Sequence, residues 1–283
     1  MNYKRKNVSR IDNEILQTKK FPNKFLRWEE TIGRTYILHL DNDLNRKQRL
    51  KEELDKIRTT NDKKFSDLVT WWSGYKNRTK YDNKIFNPYY TLHYHWLVDP
   101  TPDYHKSYPE IQNEIIKCSE PESLIALSHI SILQDILKSD YEIFCILEDD
   151  IFFRYDFIEK INTIFEKEIP KYFDILYLSS LPTNFGFSYQ DFSSNLLKVN
   201  NGVLWVSGII ITKKAVQKLL DNLPVVGPID IWLNHQFDYL NVFMTKHNLI
   251  LQDTDIESNN IYSFYEKYGY STKNGDISNK TLF

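Results

Sequence analysis

At 283 residues the chain is long enough to bury the core of one large domain or of two small ones. Its 36 Lys and Arg stand against 38 Asp and Glu, a formal net charge of −2, so no basic field marks it as a binder of nucleic acid or of an anionic membrane. Only two cysteines, no run of membrane-span length and a polar N-terminus together predict a soluble protein of a reducing, cytoplasmic compartment, with Cys145 a buried thiol.

Residues 1–32 are rich in Lys, Arg and Asn without sustained periodicity, an N-terminal extension either wrapped on the body or partly disordered. Tyr36-Ile37-Leu38-His39-Leu40 is the first strand, and a polar turn leads to a helix from Arg46 to about Arg58 with Leu50, Leu54 and Ile57 on one face. Strand, turn and helix open an α/β unit. No glycine-rich phosphate loop follows the strand, which removes the main support for a Rossmann or P-loop reading. Residues 59–118 form an aromatic-rich insertion. His93 and His95 alternate there as strand neighbours, but no third metal ligand accompanies them.

Ser119 with Glu122 is a capping box with Pro121 in the first turn. Leu124, Leu127, Ile130, Leu133 and Leu137 continue it as an amphipathic helix. The chain then enters Tyr141-Glu142-Ile143-Phe144-Cys145-Ile146-Leu147-Glu148-Asp149-Asp150, an apolar run that ends abruptly in three acids. Such a run suits a strand buried on both faces, with its acids at the carboxyl end, where open α/β sheets place ligands. Three adjacent carboxylates repel one another, and hard oxygen ligands suit Mg²⁺ or Mn²⁺. Strand alternation would send Glu148 and Asp150 to one side and Asp149 to the other. A solvated acidic turn is the alternative.

A helix carrying Phe157, Ile161, Ile164 and Phe165 follows and ends near Pro170. Residues 173–178 are a strand, and residues 182–195 a loop long enough to be functional. Val203 to Ile211 is an apolar run broken by Ser207 and Gly208, after which Thr212 caps a helix to Asp221. Pro228-Ile229-Asp230 starts a further helix through about Leu240. Final strands fall at 242–244 and 249–251, before a polar, Tyr-rich tail (residues 261–283). The alternation indicates one mixed α/β domain, residues 33–260, with helices on both faces of the sheet.

Taken in order, Tyr36-Ile37-Leu38-His39-Leu40 with Arg46 and Arg49, Leu127-Ser128-His129, Leu147-Glu148-Asp149-Asp150 and Pro228-Ile229-Asp230-Ile231-Trp232-Leu233 resemble glycosyltransferase family 25. That group holds lipopolysaccharide glycosyltransferases and collagen galactosyltransferases. Ile211-Thr212-Lys213-Lys214 and Gln252 with Ser258 are similar as well. The chain departs from the family at Leu124 and Ile125, where Gly-Cys is common, at Asn45, where an acid is common, and at Ile209, where Tyr is expected. These departures bear on substrate choice rather than on fold.

The resemblance implies a GT-A type fold and a nucleotide-sugar donor, a UDP-sugar in particular. It also implies transfer with inversion to a hydroxyl of a glycan or protein acceptor. On that reading Asp150, with Glu148 or Asp149 assisting, holds Mn²⁺ or Mg²⁺ against the donor diphosphate. Arg46 contacts phosphate or nucleotide, or is merely a surface helix arginine. His129 is a packed structural histidine or a donor contact. Asp230 is the general base, or merely a helix cap. Two rival classes remain: a metal-dependent nucleotidyltransferase, and a non-catalytic carbohydrate- or partner-binding module derived from a transferase.

Overall fold

The computed structural model describes residues 25–76, 92–93, 95–97, 115–182 and 187–253. Among these, eight strands form one mixed sheet: β1 (Arg34–His39), β2 (Val69–Ser73), β3 (Ile143–Glu148), β4 (Ile175–Tyr177), β5 (Ser188–Asp191), β6 (Leu196–Asn201), β7 (Gly208–Thr212) and β8 (Val242–Thr245). Their order across the sheet is β5-β6-β8-β4-β7-β3-β1-β2. β2, β1 and β3 run parallel. β7 is antiparallel to both β3 and β4, so it begins where β3 ends.

The apolar run preceding the acids is β3, with Phe144, Cys145, Ile146 and Leu147 fully buried. Alternation divides it: Phe144 and Ile146 enter one hydrophobic cluster, Cys145 and Leu147 the other. Ile209 and Ile211 against Ile210 in β7 follow the same rule. The first cluster is covered by α2 (Glu120–Leu137), α4 (Lys213–Asp221) and α5 (Ile229–Asn234). The second is covered by α1 (Leu44–Asp55) and α3 (Phe157–Thr163). Helices therefore cover both faces, the mixed α/β architecture expected from the sequence. Leu26, Trp28 and Ile32 also belong to the second cluster, and the Trp28 indole donates to Thr35 Oγ1 at 2.8 Å.

Local signals account for the helix starts. Ser119 Oγ accepts from the Glu122 N–H at 3.2 Å, and Glu122 Oε2 accepts from the Ser119 N–H at 2.8 Å, completing the capping box of α2. Both residues are buried, so Ser119→Ala strands an amide donor; it is expected to lower stability by about 1 kcal/mol, read as a lower urea midpoint. Thr212 Oγ1 caps α4 by accepting from the Ala215 N–H at 3.2 Å.

Several elements differ from their sequence reading. α1 starts at Leu44 rather than Arg46 because Asp43 caps it, accepting from the Arg46 N–H at 3.3 Å. It ends at Asp55, while Ile57 stays buried just beyond. The stretch read as a loop at 182–195 instead carries β5, which pairs with β6 as an edge hairpin. All four β5 residues are exposed, so the strand has no apolar alternation to betray it. After the acids the chain forms a short strand, Ile151–Phe153, pairing antiparallel with Ile250–Gln252 before α3 begins. α5 stops at Asn234 rather than reaching Leu240. The Asn234 side chain turns back to donate to the Asp230 carbonyl at 2.8 Å and also to the Val203 carbonyl, competing with helix continuation. Trp71 and Trp72, read as part of the 59–118 insertion, sit in β2. Residues 1–24, most of 77–114 and the tail from 254 lie outside the described residues, as do the side chains of His93 and His95 and the residue Ser258.

Candidate active site

The parallel strands β1 and β3 end at one edge of the sheet, and β7 starts there. A cleft of about 340 Å³ opens at that edge. Its walls are the end of β1, the first turns of α1 and α2, residues 74–76 after β2, the Trp205-Val206-Ser207 segment before β7, the start of α5, and Gln252. Glu148, Asp149, Asp150, Arg46 and Asp230, which lie far apart in sequence, all line this one cleft.

Strand alternation does not carry through the acids. β3 ends at Glu148 and the chain bends at 149–150, so all three residues line the cleft instead of dividing across the sheet. Asp149 is buried and meets Arg46, whose Nη1 lies 3.1 Å from Oδ1; the same guanidinium reaches Asp43 through Nε at 3.2 Å. Arg46 is thus a well-buried member of the cleft wall rather than a surface helix arginine. Burial still outweighs this pairing and holds the Asp149 carboxyl above the ordinary aspartate range.

Asp150 carries a stronger conflict. Burial first, then the neighbouring Glu148 charge, push its carboxyl up to about 6. Gln252 Nε2 donates to its Oδ2 at 3.1 Å, while Oδ1 has no partner among the described residues. The Asp253 N–H donates to the Asp150 carbonyl at 2.7 Å, and Asp253 Oδ2 accepts from Arg49 Nη1 at 2.5 Å, so the acidic turn is tied to α1 from behind. Glu148 has His129 at its back, Nε2 to Oε1 being 3.6 Å. His129 is buried and does not line the cleft, whereas its neighbour Ser128 does.

Asp230 lines the same cleft from the start of α5. A left-handed turn at Gly227 (φ 83°), a conformation suited to glycine, leads through Pro228 into α5. The N-cap position falls at Pro228 and Asp230 is the second residue of the helix, within its first turn, so Asp230 is not the capping residue. Its Oδ1 accepts from the Ile231 N–H at 2.9 Å, and its Oδ2 faces the Trp205 N–H at 3.5 Å. Burial raises its carboxyl above the usual range, opposed by these amides and reinforced by the Glu148 charge. Behind it, the buried Tyr177 hydroxyl lacks a partner among the described residues and is pushed up by burial and by the Asp230 charge. Of the other aspartates near the chain's end, Asp238 is exposed and off the cleft, and Asp255 lies outside the described residues.

Sequence reading missed Trp205. It was absorbed into the apolar run from Val203, yet its φ is 71°, a left-handed conformation that costs a side-chain-bearing residue about 1–3 kcal/mol and clusters at functional sites. Nothing in residue type announces a backbone angle, and only the interruption at Ser207-Gly208 hints that the run is not one strand. Leu124 and Ile125, the departures noted above, both face the cleft.

The family model described as glycosyltransferase family 25 (LPS biosynthesis protein) matches residues 33–240. No curated protein matches the chain.

Proposed function

The chain belongs to glycosyltransferase family 25 and is a glycosyltransferase; from that premise we propose that it is a metal-dependent, inverting enzyme of GT-A type that uses a UDP-sugar. The observation that carries this reading is that Glu148, Asp149, Asp150 and Asp230 all line one cleft. The transferred group would be a hexose or N-acetylhexosamine, with glucose, galactose and N-acetylglucosamine first in line. The acceptor is a hydroxyl of a glycan or protein.

The acid cluster fits an open metal site rather than a closed one. Among the described residues no three His, Cys, Asp or Glu side chains converge as a metal cage. Mg²⁺ and Mn²⁺ of phosphate-handling enzymes are held by one or two carboxylates, with substrate phosphates and water completing the shell. Asp150, whose buried Oδ1 has no partner among the described residues, and Glu148 beside it supply such a pair. The ion, when bound, would supply Lewis-acid stabilisation of the negative charge on the leaving diphosphate. Asp149, held by Arg46, keeps the acidic wall in place and adds to its negative field.

Asp230 is assigned the proton transfer. Its carboxylate takes the proton of the acceptor hydroxyl as that oxygen bonds to the anomeric carbon. The bond from that carbon to the donor diphosphate breaks, and its electron pair leaves with the diphosphate. Attack and departure on opposite faces invert the carbon. A carboxylate raised by burial is a stronger base than an exposed one, which suits the task. His129 acts from behind Glu148 and has no direct contact with the cleft.

Hydrolysis of a panel of nucleotide sugars, measured with and without Mn²⁺, tests the reading. Mn²⁺-dependent release of UDP from one UDP-sugar is expected. Metal-independent turnover, or turnover confined to donors carrying another nucleotide, would overturn it.

A further inference from the structure

The segment 202–207 is more tightly fixed than a connection between strands requires. The N–H groups of Gly202 and Val203 both donate to Asn234 Oδ1, at 2.9 and 3.0 Å. The Asn234 amide returns a bond to the Val203 carbonyl. At the other end, the Ser207 carbonyl accepts from the Glu148 N–H at 3.0 Å. Between these anchors Trp205 is held in the left-handed region, its own N–H directed at Asp230. The segment is thus tied to α5 on one side and to the acidic wall on the other, and a tryptophan stands in the cleft between them.

Trp205 also differs from Trp28 and Trp72. Trp28 and Trp72 satisfy their indole N–H groups on Thr35 and Ser131, at 2.8 Å each. Trp28 packs on three rings, and Trp72 meets Tyr36 edge-on. Trp205 is half-buried on the cleft wall and joins no ring pair or side-chain hydrogen bond among the described residues. A large aromatic face presented beside a carboxylate suits a pyranose, whose axial C–H bonds form an apolar face that lies on the electron-rich ring while its hydroxyls point to the rim.

We propose that Trp205 is the platform on which the acceptor's pyranose ring stacks, placing one of its hydroxyls at Asp230, so that the acceptor is a glycan rather than a protein side chain. This rests on the transferase reading of the cleft. It adds a specificity-determining residue whose strained backbone is maintained by Asn234 and Glu148, because the ring must stand at one place relative to the base.

Saturation-transfer NMR on the full chain with UDP and Mn²⁺ tests it, using methyl β-D-galactopyranoside and methyl β-D-glucopyranoside as probes. In the wild type, one probe should receive saturation on the protons of a single ring face. Trp205→Phe should keep much of that transfer, while Trp205→Gly should weaken binding by at least about tenfold, the equivalent of one well-made stacking contact. Trp205→Gly loses the buried part of the ring but relieves the left-handed strain, so a cooperative melt and retained UDP uptake, checked in the same sample, separate loss of the ring from loss of the fold. Equal saturation in Trp205→Gly and wild type would overturn the platform. So would a wild type that takes up UDP but contacts neither probe, which would direct attention to a protein acceptor. A wild type that fails to take up UDP in the same sample defeats the UDP-sugar reading of the cleft on which this rests, a distinct result.

Discussion

Asp150→Asn is expected to reduce Mn²⁺-dependent sugar transfer by about 10²–10³-fold, the order found when one group stabilising transition-state charge is removed. The same substitution should stabilise the metal-free protein. Asp150 titrates near 6 in the fold rather than at the ordinary 3.8, because it is buried beside Glu148. A carboxyl raised on folding binds its proton more tightly in the native state than in the unfolded chain. The stability this group contributes is therefore full below the unfolded value and is lost as pH climbs from about 4 through 6. Asparagine cannot ionise and does not suffer this loss. Thermal melts in chelator should show Asp150→Asn above the wild type at pH 8, with the gap closing below pH 4. A variant that is both fully active and no more stable would remove the acid cluster from the mechanism.

Asp230→Asn is expected to reduce transfer by about 10²–10⁴-fold, the usual contribution of a general base. The amide oxygen of asparagine can accept from the Ile231 N–H as Asp230 Oδ1 does, so the start of α5 should keep its geometry. Only the proton acceptor is lost. Donor affinity, measured by calorimetry with UDP, should change little if Asp230 meets only the acceptor hydroxyl. A group that served merely to hold the helix start would leave the rate near wild type after this swap. That outcome would remove Asp230 from the proton transfer.

The contrast between these aspartates shows how far the sequence could be read. The continuous apolar run Phe144-Cys145-Ile146-Leu147 reports burial on two faces, and strand, helix and cap positions follow from such local patterns. The capping box at Ser119 and the cap at Thr212 are local in the same sense, since each needs only residues three apart. The acids were legible because a buried strand ending in three like charges is costly without a partner. Three features were not. β5 has no apolar face and is made a strand by pairing with β6. Glu148 to Asp150 share one wall because Ile151–Phe153 pairs with Ile250–Gln252, about a hundred residues on, and bends the chain between. Trp205 takes its conformation from Asn234 and Glu148, which hold either end of its segment. In each case a distant contact, not the local residue pattern, sets the geometry.

Calorimetric titration of UDP into the wild type and Asp150→Asn, each with and without Mn²⁺, tests most directly whether the acidic wall holds donor through metal. UDP should bind the wild type tightly only when Mn²⁺ is present, and Asp150→Asn should lose at least about tenfold in affinity, the equivalent of 1.4 kcal/mol. UDP binding that is the same in both proteins and indifferent to Mn²⁺ would contradict the account.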